Sequence, residues 1–448
     1  MVEFVVLAVF CAVLVACVAL SVPTVVALSL GLALFVGYGL CRGHSMHDLV
    51  RMGLSGMATA KGVLVAMCLV GVLTALWRAS GTVSQIVVMA APLVTPAMAP
   101  LVTFILTGFM SFLIGTSFGT AATMGVVCMT LATSMGADPL LTGGAVLSGA
   151  YFGDRVSPLS TSALLVRTVT GTDFEGNFRA MMRSAAVPLA AAVVVYTLGG
   201  VFAARQVANA PSMQTIDMLR AYFDQGVVAL IPAVLVLVLP LMRVSVKGAM
   251  GASIAAAAGV CLFARGIDAA SLVRYAVVGF ASSDSAIDAL MGGGGLISMA
   301  NVVAIVCLSS TYAGLFGGTG LLDGVQKHIG ALADRVTPFG AVLAVSIPAS
   351  MVACNQTLGI MLSHQLCAHV EPSARALALD LEDTTVVLSP LVPWSIACSA
   401  VVTMCGAPSL CWAAAVYLWF IPAWRLICSL AKRRMHAVHA VTKNAPAA

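Results

Sequence analysis

Long apolar runs separated by short polar segments dominate the chain. A transmembrane helix needs about 20 mainly apolar residues. The runs do not alternate polar and apolar residues, as the strands of a membrane barrel do. The pattern therefore predicts an all-α polytopic membrane protein with about 10–12 transmembrane helices, some of them broken and some re-entrant. The clearest runs lie at 4–20, 23–40, 62–77, 186–203, 226–242, 246–264, 296–316 and 410–428.

Composition and charge support a membrane protein. The 448 residues are 60% hydrophobic and only 9% charged, whereas soluble domains carry about 25% charged residues. Positive charge concentrates in the loop 42–61 and in the tail 425–434. The positive-inside rule then predicts that both termini are cytoplasmic, in a bacterial-type inner membrane. Basic residues beside anionic lipid act as topology determinants, so we expect the lipid bilayer, and no nucleic acid, as their partner.

One charged segment, Asp154-Arg155, interrupts the apolar sequence of the first half. Apart from Asp138, no other charged residue lies within 79–166. A carboxylate at membrane depth is costly, so it is expected to face a cavity or a cation rather than lipid. Pro158 follows and removes a backbone donor, which should break the helix. Broken helices expose backbone groups, with which secondary transporters build ion and substrate sites.

A polar turn, Gly115-Thr116-Ser117-Phe118-Gly119-Thr120, separates apolar pieces at 101–114 and 121–135. Each piece is too short to cross a membrane alone, so the pattern predicts a re-entrant hairpin or a broken span. The turn also matches the hydrolase pattern G-x-S-x-G, but that motif needs a strand-turn-helix context that is missing here. Since neither a Ser/His nor an HExxH constellation is present, we expect the protein not to be an enzyme.

The second half carries polar breaks of the same kind. Cys354-Asn355-Gln356-Thr357 interrupts one apolar run. The adjacent carboxylates Glu382 and Asp383 then precede Ser389-Pro390-Leu391, a tripeptide that also occurs at 157–159. In each half, a polar break is thus followed by an acidic residue and a Ser-Pro break.

This ordered correspondence predicts two homologous halves, with a first repeat at 1–210 and a second at 217–448. Transporters of this kind commonly have inverted repeats around a site at the bilayer midplane. A duplicated structural scaffold without any site is the alternative. It leaves the carboxylates and helix breakers in both halves unexplained.

These motifs together resemble the NhaC family of sodium/proton antiporters, within the ion transporter superfamily. The resemblance covers most of the chain, and it implies exchange of sodium for protons, exchange of malate for lactate, or uptake of an amino acid. It is carried by Leu76-Trp77 with Ser80-Gly81-Thr82-Val83, by Gly115–Thr120, by Ser148–Asp154 with Ser157–Ser160, by Leu381–Thr384 and by Ser389–Trp394.

One position departs from the family pattern. Relatives usually carry Ser-Asp-Thr after Ser-Pro-x, whereas Thr161 follows Ser160 here. A hydroxyl can still ligate sodium, because hard cations take oxygen ligands. The missing charge should nevertheless weaken cation binding and removes a candidate proton carrier, which shifts some weight from strict sodium/proton exchange toward sodium-coupled solute movement.

The leading hypothesis is a secondary antiporter in which sodium and protons compete for carboxylates at the breaks, with Asp154 as the candidate Na⁺ ligand. No cofactor is expected besides Na⁺ as the transported ion, and a homodimer is a further expectation. The candidate ion- or substrate-binding residues are Gly115, Thr116, Ser117, Gly119, Thr120, Asp154, Ser157, Pro158, Ser160 and Thr161 in the first half, and Asn355, Gln356, Thr357, Glu382, Asp383, Thr384 and Ser389 in the second.

Two alternatives concern Arg155. It could pair with Asp154 in a buried ion pair that only locks the broken helix. Alternatively, it could face the cavity and hold the carboxylate of an organic anion or amino acid, together with helix N-termini at the breaks.

Overall fold

A computed structural model describes residues 22–90, 94–206, 213–223, 226–319, 337–371 and 373–443, together with some positions between 5 and 20. The predicted first span, at 4–20, is therefore described only in part. In the described part, helices dominate, and the only strand-like pairing is one antiparallel bridge between Phe280 and Gly293. The all-α prediction is confirmed.

Helices of the first half follow the apolar runs and end at the predicted polar segments. A π-helical turn at Ala121–Gly125 joins the short helix Ser117–Thr120 to the helix Val126–Ser134. The helices are α1 (Thr24–Cys41), α2 (Met46–Thr59), α3 (Lys61–Ala79), α4 (Thr82–Ala90), α5 (Ala99–Ile114), α6 (Ser117–Thr120), α7 (Val126–Ser134), α8 (Pro139–Val156), α9 (Thr161–Thr170) and α10 (Phe174–Gln206).

Helices of the second half are more often interrupted. They are α11 (Met213–Phe223), α12 (Ile231–Leu241), α13 (Val246–Gly259), α14 (Ala269–Val278), α15 (Ser285–Met291), α16 (Ala300–Thr319), α17 (Pro338–Ala353), α18 (Gln356–Cys367), α19 (Ala374–Asp383), α20 (Thr385–Leu388), α21 (Ile396–Cys405) and α22 (Val416–Lys443). Short 3₁₀ turns lie at Gly226–Leu230, Leu296–Met299, Ser389–Leu391 and Ser409–Ala414, and a π-helical turn follows α13 at Val260–Ala264.

The helix lengths suit a multi-pass membrane protein with broken spans. In the described part, 5 helices are long and apolar enough to cross a membrane, or up to 7 if each of two bent pairs forms one span. One bent pair, Ala374–Leu391 with Ile396–Cys405, turns by 57° at the predicted Ser-Pro break. The predicted total of 10–12 spans stays a prediction, as do the inverted repeats and the boundary near residue 210, which lies outside the described residues.

Glycine contacts fix α8 against α5, and thereby place the segment that carries Asp154. A Cβ added at Gly149 would lie 2.7 Å from the Phe104 carbonyl oxygen, and one at Gly153 would lie 2.4 Å from the Phe112 amide nitrogen. Ser111 also donates to the Ala150 carbonyl across this contact (2.5 Å). Small residues four apart let membrane helices approach closely, so α8 sits in one fixed register on α5.

We predict that Gly149→Ala separates α5 from α8 and lowers the thermal unfolding midpoint in detergent. The added Cβ would meet the Phe104 carbonyl oxygen, which cannot rotate away, and overpacking of this kind costs about 1–3 kcal/mol. Gly37→Ala on α1 is the matched control, because no heavy atom lies within 4 Å of its added Cβ. Equal midpoints for the two variants would contradict the proposed close packing.

Candidate functional site

Asp154 lies near the carboxyl end of α8 and is almost fully buried. The Ser160 hydroxyl donates to its Oδ1 (2.8 Å), and the Ser162 hydroxyl donates to its Oδ2 (3.3 Å). Ser117 also forms a side-chain hydrogen bond with Asp154. Ser160 is the N-cap of α9, so the positive end of that helix dipole lies beside the carboxylate and stabilises its ionised form.

The two predicted breaks of the first half lie against each other. Gly115 ends α5 in the left-handed conformation, with φ of 75°. A Cβ added there would lie 2.6 Å from the Leu159 Cβ in the second break. Thr116 then caps α6, because its side chain accepts from the Gly119 amide (3.5 Å). The hairpin tip therefore brings Ser117 to the break after α8.

The second half repeats this local geometry. Cys354 ends α17 with φ of 55°, and Asn355 caps α18 by accepting from the Leu358 amide (2.8 Å). The Cys354 carbonyl accepts from the Ile396 amide at the start of α21 (2.8 Å). In both halves, a left-handed residue at a hairpin tip thus contacts the segment between two helix pieces. The two homologous halves stay a prediction.

A cluster of buried hydroxyl groups surrounds the break between α19 and α20. The Thr385 hydroxyl is hydrogen-bonded to the hydroxyls of Ser346 (2.9 Å) and Ser363 (2.8 Å), and Ser346 is also hydrogen-bonded to Thr384 (3.0 Å). Ser389 donates to the Thr385 carbonyl (2.9 Å). These bonds join α17 and α18 to the break, because each hydroxyl in an apolar setting needs a partner.

Arg155 does not pair with Asp154, so the locking pair considered in the sequence analysis is absent. Its guanidinium instead forms a salt bridge with Asp383 of the second half, and both side chains are fully buried. Arg155 also donates to the Ser184 hydroxyl (2.8 Å) and to the Tyr417 hydroxyl (3.1 Å). Asp154 and Arg155 are neighbours in sequence, but they project from α8 toward different partners. The two halves are therefore joined by an ion pair next to the candidate ion site.

Arg425 of α22 adds a second cation to this network. It forms ion pairs with Asp380 (2.6 Å) and with Oδ2 of Asp383 (2.7 Å), whereas Arg155 contacts Oδ1 of the same carboxylate. Asp380, Arg425, Asp383 and Arg155 thus alternate in charge. Since a buried charge is tolerated only when it is paired, these four side chains are explained by mutual neutralisation.

Of the buried carboxylates in the described part of the chain, Asp154 and Glu382 form no ion pair. The Glu382 Oε2 has no hydrogen-bond partner among the described residues. Glu382 lies within electrostatic range of Asp154 and Arg155. An unsatisfied buried carboxylate oxygen needs an explanation such as an ion or a water molecule.

The structure brings most, but not all, of the predicted site residues together. Thr161 and Thr357 have exposed side chains, and no hydrogen bond joins Thr161 to Asp154 in the described structure. Pro158 is exposed as well, and the Gln356 amide donates to the Val386 carbonyl (3.0 Å). Buried predicted residues at the breaks are Gly115, Ser117, Gly119, Thr120, Asp154, Ser157, Ser160, Glu382, Asp383, Thr384 and Ser389.

The sequence analysis did not assign Ser162 or Arg425 to the site. Ser162 contacts Asp154, although the sequence analysis concentrated on its neighbour Thr161. Arg425 was interpreted as a topology determinant after the last span, yet it reaches back to Asp380 and Asp383. The signal that could have identified Arg425 is its position inside the apolar run 410–428, about one helical turn before the run ends.

Comparison with known proteins places the chain in a transporter context. The Na⁺/H⁺ antiporter family matches residues 1–177 and 149–421. A malate-2H⁺/Na⁺-lactate antiporter of Bacillus subtilis is 27% identical over 398 residues, covering 84% of this chain and 83% of the relative. The Na⁺/H⁺ antiporter NhaC of Alkalihalophilus pseudofirmus is 27% identical over 366 residues, covering 78% of this chain and 77% of the relative. The arginine/ornithine antiporter ArcD of Halobacterium salinarum is 24% identical over 361 residues, covering 78% of this chain and 74% of the relative.

We predict that Arg155→Gln destabilises the protein strongly, because it leaves Asp383 with one cation fewer in a buried setting. Breaking one side of a buried pair costs about 3–5 kcal/mol. The double variant Arg155→Gln with Asp383→Asn should recover part of this loss, as measured by the unfolding midpoint in a double-mutant cycle.

The matched control is Arg375→Gln, which breaks an exposed pair with Asp173 of similar geometry (2.5 Å). Exposed pairs contribute about 0–1 kcal/mol, so this variant should unfold almost like the parent protein. Strictly additive effects of Arg155→Gln and Asp383→Asn would show that the pair does not couple the halves.

Proposed function

The chain belongs to the Na⁺/H⁺ antiporter family, and we propose that it exchanges Na⁺ for H⁺ across the membrane through Asp154 and Glu382. The observation that supports this assignment is which buried carboxylates are paired with an arginine and which are not. Arg155 and Arg425 satisfy Asp380 and Asp383, whereas Asp154 and Glu382 have no paired cation among the described residues. A membrane-buried carboxylate of this kind favours taking up either a metal cation or a proton.

Competition at Asp154 is the proposed basis of exchange. Ser160 and Ser162 donate to the carboxylate. A hydroxyl oxygen has two lone pairs, and Ser160 uses one of them to accept from the Ala163 amide (3.3 Å), which leaves the other to face a cation. Sodium prefers such oxygen ligands. One Na⁺ or one H⁺ neutralises the carboxylate, but both do not bind at once because a protonated carboxyl no longer attracts the metal. Binding of one ion from one side therefore releases the other.

Glu382 gives the second half a titratable group of its own. It directly precedes Asp383, which is held by two arginines, so the backbone around Glu382 is fixed. We propose that Glu382 takes up a proton or cation in step with Asp154, because each carboxylate lies within the electrostatic range of the other. Neutralising one of two nearby carboxylates removes repulsion from the other and changes its ion affinity.

Thr161 stands where relatives of the NhaC family carry an aspartate, and it is exposed. In the sequence analysis, the missing aspartate shifted some weight from sodium/proton exchange toward solute movement. Ser162, rather than Thr161, contacts Asp154, so a charge at 161 would not join the hydrogen bonds of this carboxylate. The departure then has little effect on the proposed site, and sodium/proton exchange remains the better-supported function.

The alternative of an organic anion held by Arg155 loses its support, because Asp383, Ser184 and Tyr417 occupy this guanidinium. Relatives named for malate and lactate, or for arginine and ornithine, show that antiporters similar to this chain also move organic solutes. Any solute carboxylate would need another cation.

We predict that Asp154→Asn and Glu382→Gln each reduce exchange by about 100-fold or more. Each change removes a charge–ion contact of about 3 kcal/mol while keeping the shape of the side chain. Transport would be followed in proteoliposomes under an imposed pH gradient with sodium, lithium or potassium. The controls Asp173→Asn and Glu175→Gln alter exposed carboxylates of α10 and the turn before it. Exchange at parental rates by folded Asp154→Asn protein would refute the assignment.

The membrane orientation is a separate proposal. Positive charge in the loop 42–61 and in the tail 425–434 supports cytoplasmic termini in an inner membrane. We predict that a fluorescent protein fused after residue 448 fluoresces in cells, while an alkaline phosphatase at the same position stays inactive. An active phosphatase fusion would place this end of the chain outside.

A further inference from the structure

A cavity of about 320 Å³ lies apart from the buried carboxylates. Its volume falls at the lower end of the roughly 300–1,000 Å³ range of small-molecule sites. Among the described residues that line it, Arg78 at the end of α3 is the one that carries a charge. Thr130, Thr403, Val126 and Met404 also line the cavity. The wall therefore combines one cation, hydrogen-bonding groups and an apolar surface.

The Arg78 guanidinium is held by backbone and leaves one edge open. Its Nη1 donates to the carbonyls of Met291 (3.2 Å) and Gly292. No ion pair involving Arg78 occurs in the described residues, and no acceptor there pairs with its Nε or Nη2. Asp288 on the neighbouring α15 accepts instead from the Ser282 amide (2.9 Å). Arg78 thus presents a positive charge that protein carboxylates do not neutralise.

The loop that anchors Arg78 has a fixed shape. Gly293, Gly294 and Gly295 all have positive φ, and a Cβ added at Gly294 would lie 2.7 Å from the Ala75 amide nitrogen. The Gly295 amide donates to the Gly71 carbonyl of α3 (2.8 Å). The loop is therefore packed against α3, and the guanidinium is oriented before any ligand arrives. Such preorganisation reduces the entropy lost on binding.

We propose that this cavity binds a small carboxylate anion, with Arg78 as its charge partner. A planar guanidinium edge with two N–H donors matches a carboxylate in a bidentate pair. Thr130 and Thr403 can donate to further oxygens of the anion, while Val126 and Met404 contact its carbon atoms. A cationic solute is disfavoured, because Arg78 would repel it.

The cavity is connected to the ion site by two helices. The helix α21 follows its N-cap Ser395, beside the second-half break, and reaches the cavity at Thr403. On the other side, α6, the π-helical turn and α7 lead from the hairpin tip at Thr116 to the cavity at Thr130. Helix rises about 1.5 Å per residue, so these paths span about 12 Å and about 21 Å, and the anion would not contact Asp154. The proposal goes beyond Na⁺/H⁺ exchange and does not depend on it.

Binding can be measured with the purified full-length protein by titration calorimetry. The probes are sodium malate and sodium lactate, compared with sodium chloride at equal sodium concentration and with ethylammonium chloride as a cation that lacks a carboxylate. We expect saturable binding of at least one of the two carboxylates. Equal signals from carboxylate and chloride, or preferential binding of ethylammonium, would overturn the proposal.

Arg78→Gln should weaken carboxylate binding by about 10- to 100-fold, because a charge-assisted bidentate contact is lost. Arg274→Gln, which changes an exposed arginine on α14, is the matched control and should bind like the parent protein. Parental affinity in folded Arg78→Gln protein would overturn the proposal.

A second variant keeps the test valid if Arg78→Gln fails to fold, since Arg78 also anchors two carbonyls. Thr403→Val leaves Arg78 in place and should weaken binding by about 2- to 10-fold through the loss of one hydroxyl. Asp154→Asn should bind the carboxylate normally while losing exchange, which separates this site from the proposed ion site. Loss of carboxylate binding in Asp154→Asn would place the anion at the break and overturn the assignment to Arg78.

Discussion

Charge balance in a buried, low-dielectric site is the constraint on which the arrangement of this protein depends. Moving one ion out of water costs several kcal/mol even after the surroundings relax, so each buried charge needs a partner or a function. Four carboxylates meet two guanidinium groups where the halves join, and Asp380 and Asp383 take both arginines. Asp154 and Glu382 have no ion-pair partner among the described residues. In the exchange proposed above, this excess of negative charge is what would attract a cation to the site.

Close helix packing decides where this charge is placed. Gly149 and Gly153 let α8 lie directly on α5, and Gly115 lets the hairpin tip approach Leu159. These contacts set the depth and rotation of α8, so Asp154 faces Ser160 and Ser162 while Arg155 faces the second half. Larger residues at these glycines would have to move the backbone. The position of the carboxylate is thus fixed by residues that carry no charge.

The sequence predicted the helical membrane fold, the breaks and the buried acidic residues, because these features depend on local composition and on Gly and Pro. It did not predict which acid pairs with which base. Arg155 follows Asp154 directly, yet its partner Asp383 lies 228 residues away, and pairing over such a separation depends on tertiary packing. Arg425 was misread for the same reason. Ser162 and Thr161 differ by one position, and helix rotation decides which of them contacts Asp154.

The adjacency of Asp154 and Arg155 also suggests how the two halves respond together. Both side chains belong to one rigid turn of α8, but Asp154 contacts α9 and Arg155 contacts α10, α19 and α22. In the proposed exchange, an ion that enters or leaves Asp154 would change its bonds to Ser160 and Ser162. Any resulting shift of this turn would move Arg155 against Asp383. Because packed interfaces tend to switch between discrete arrangements rather than deform continuously, a small displacement here can select a different packing of the halves.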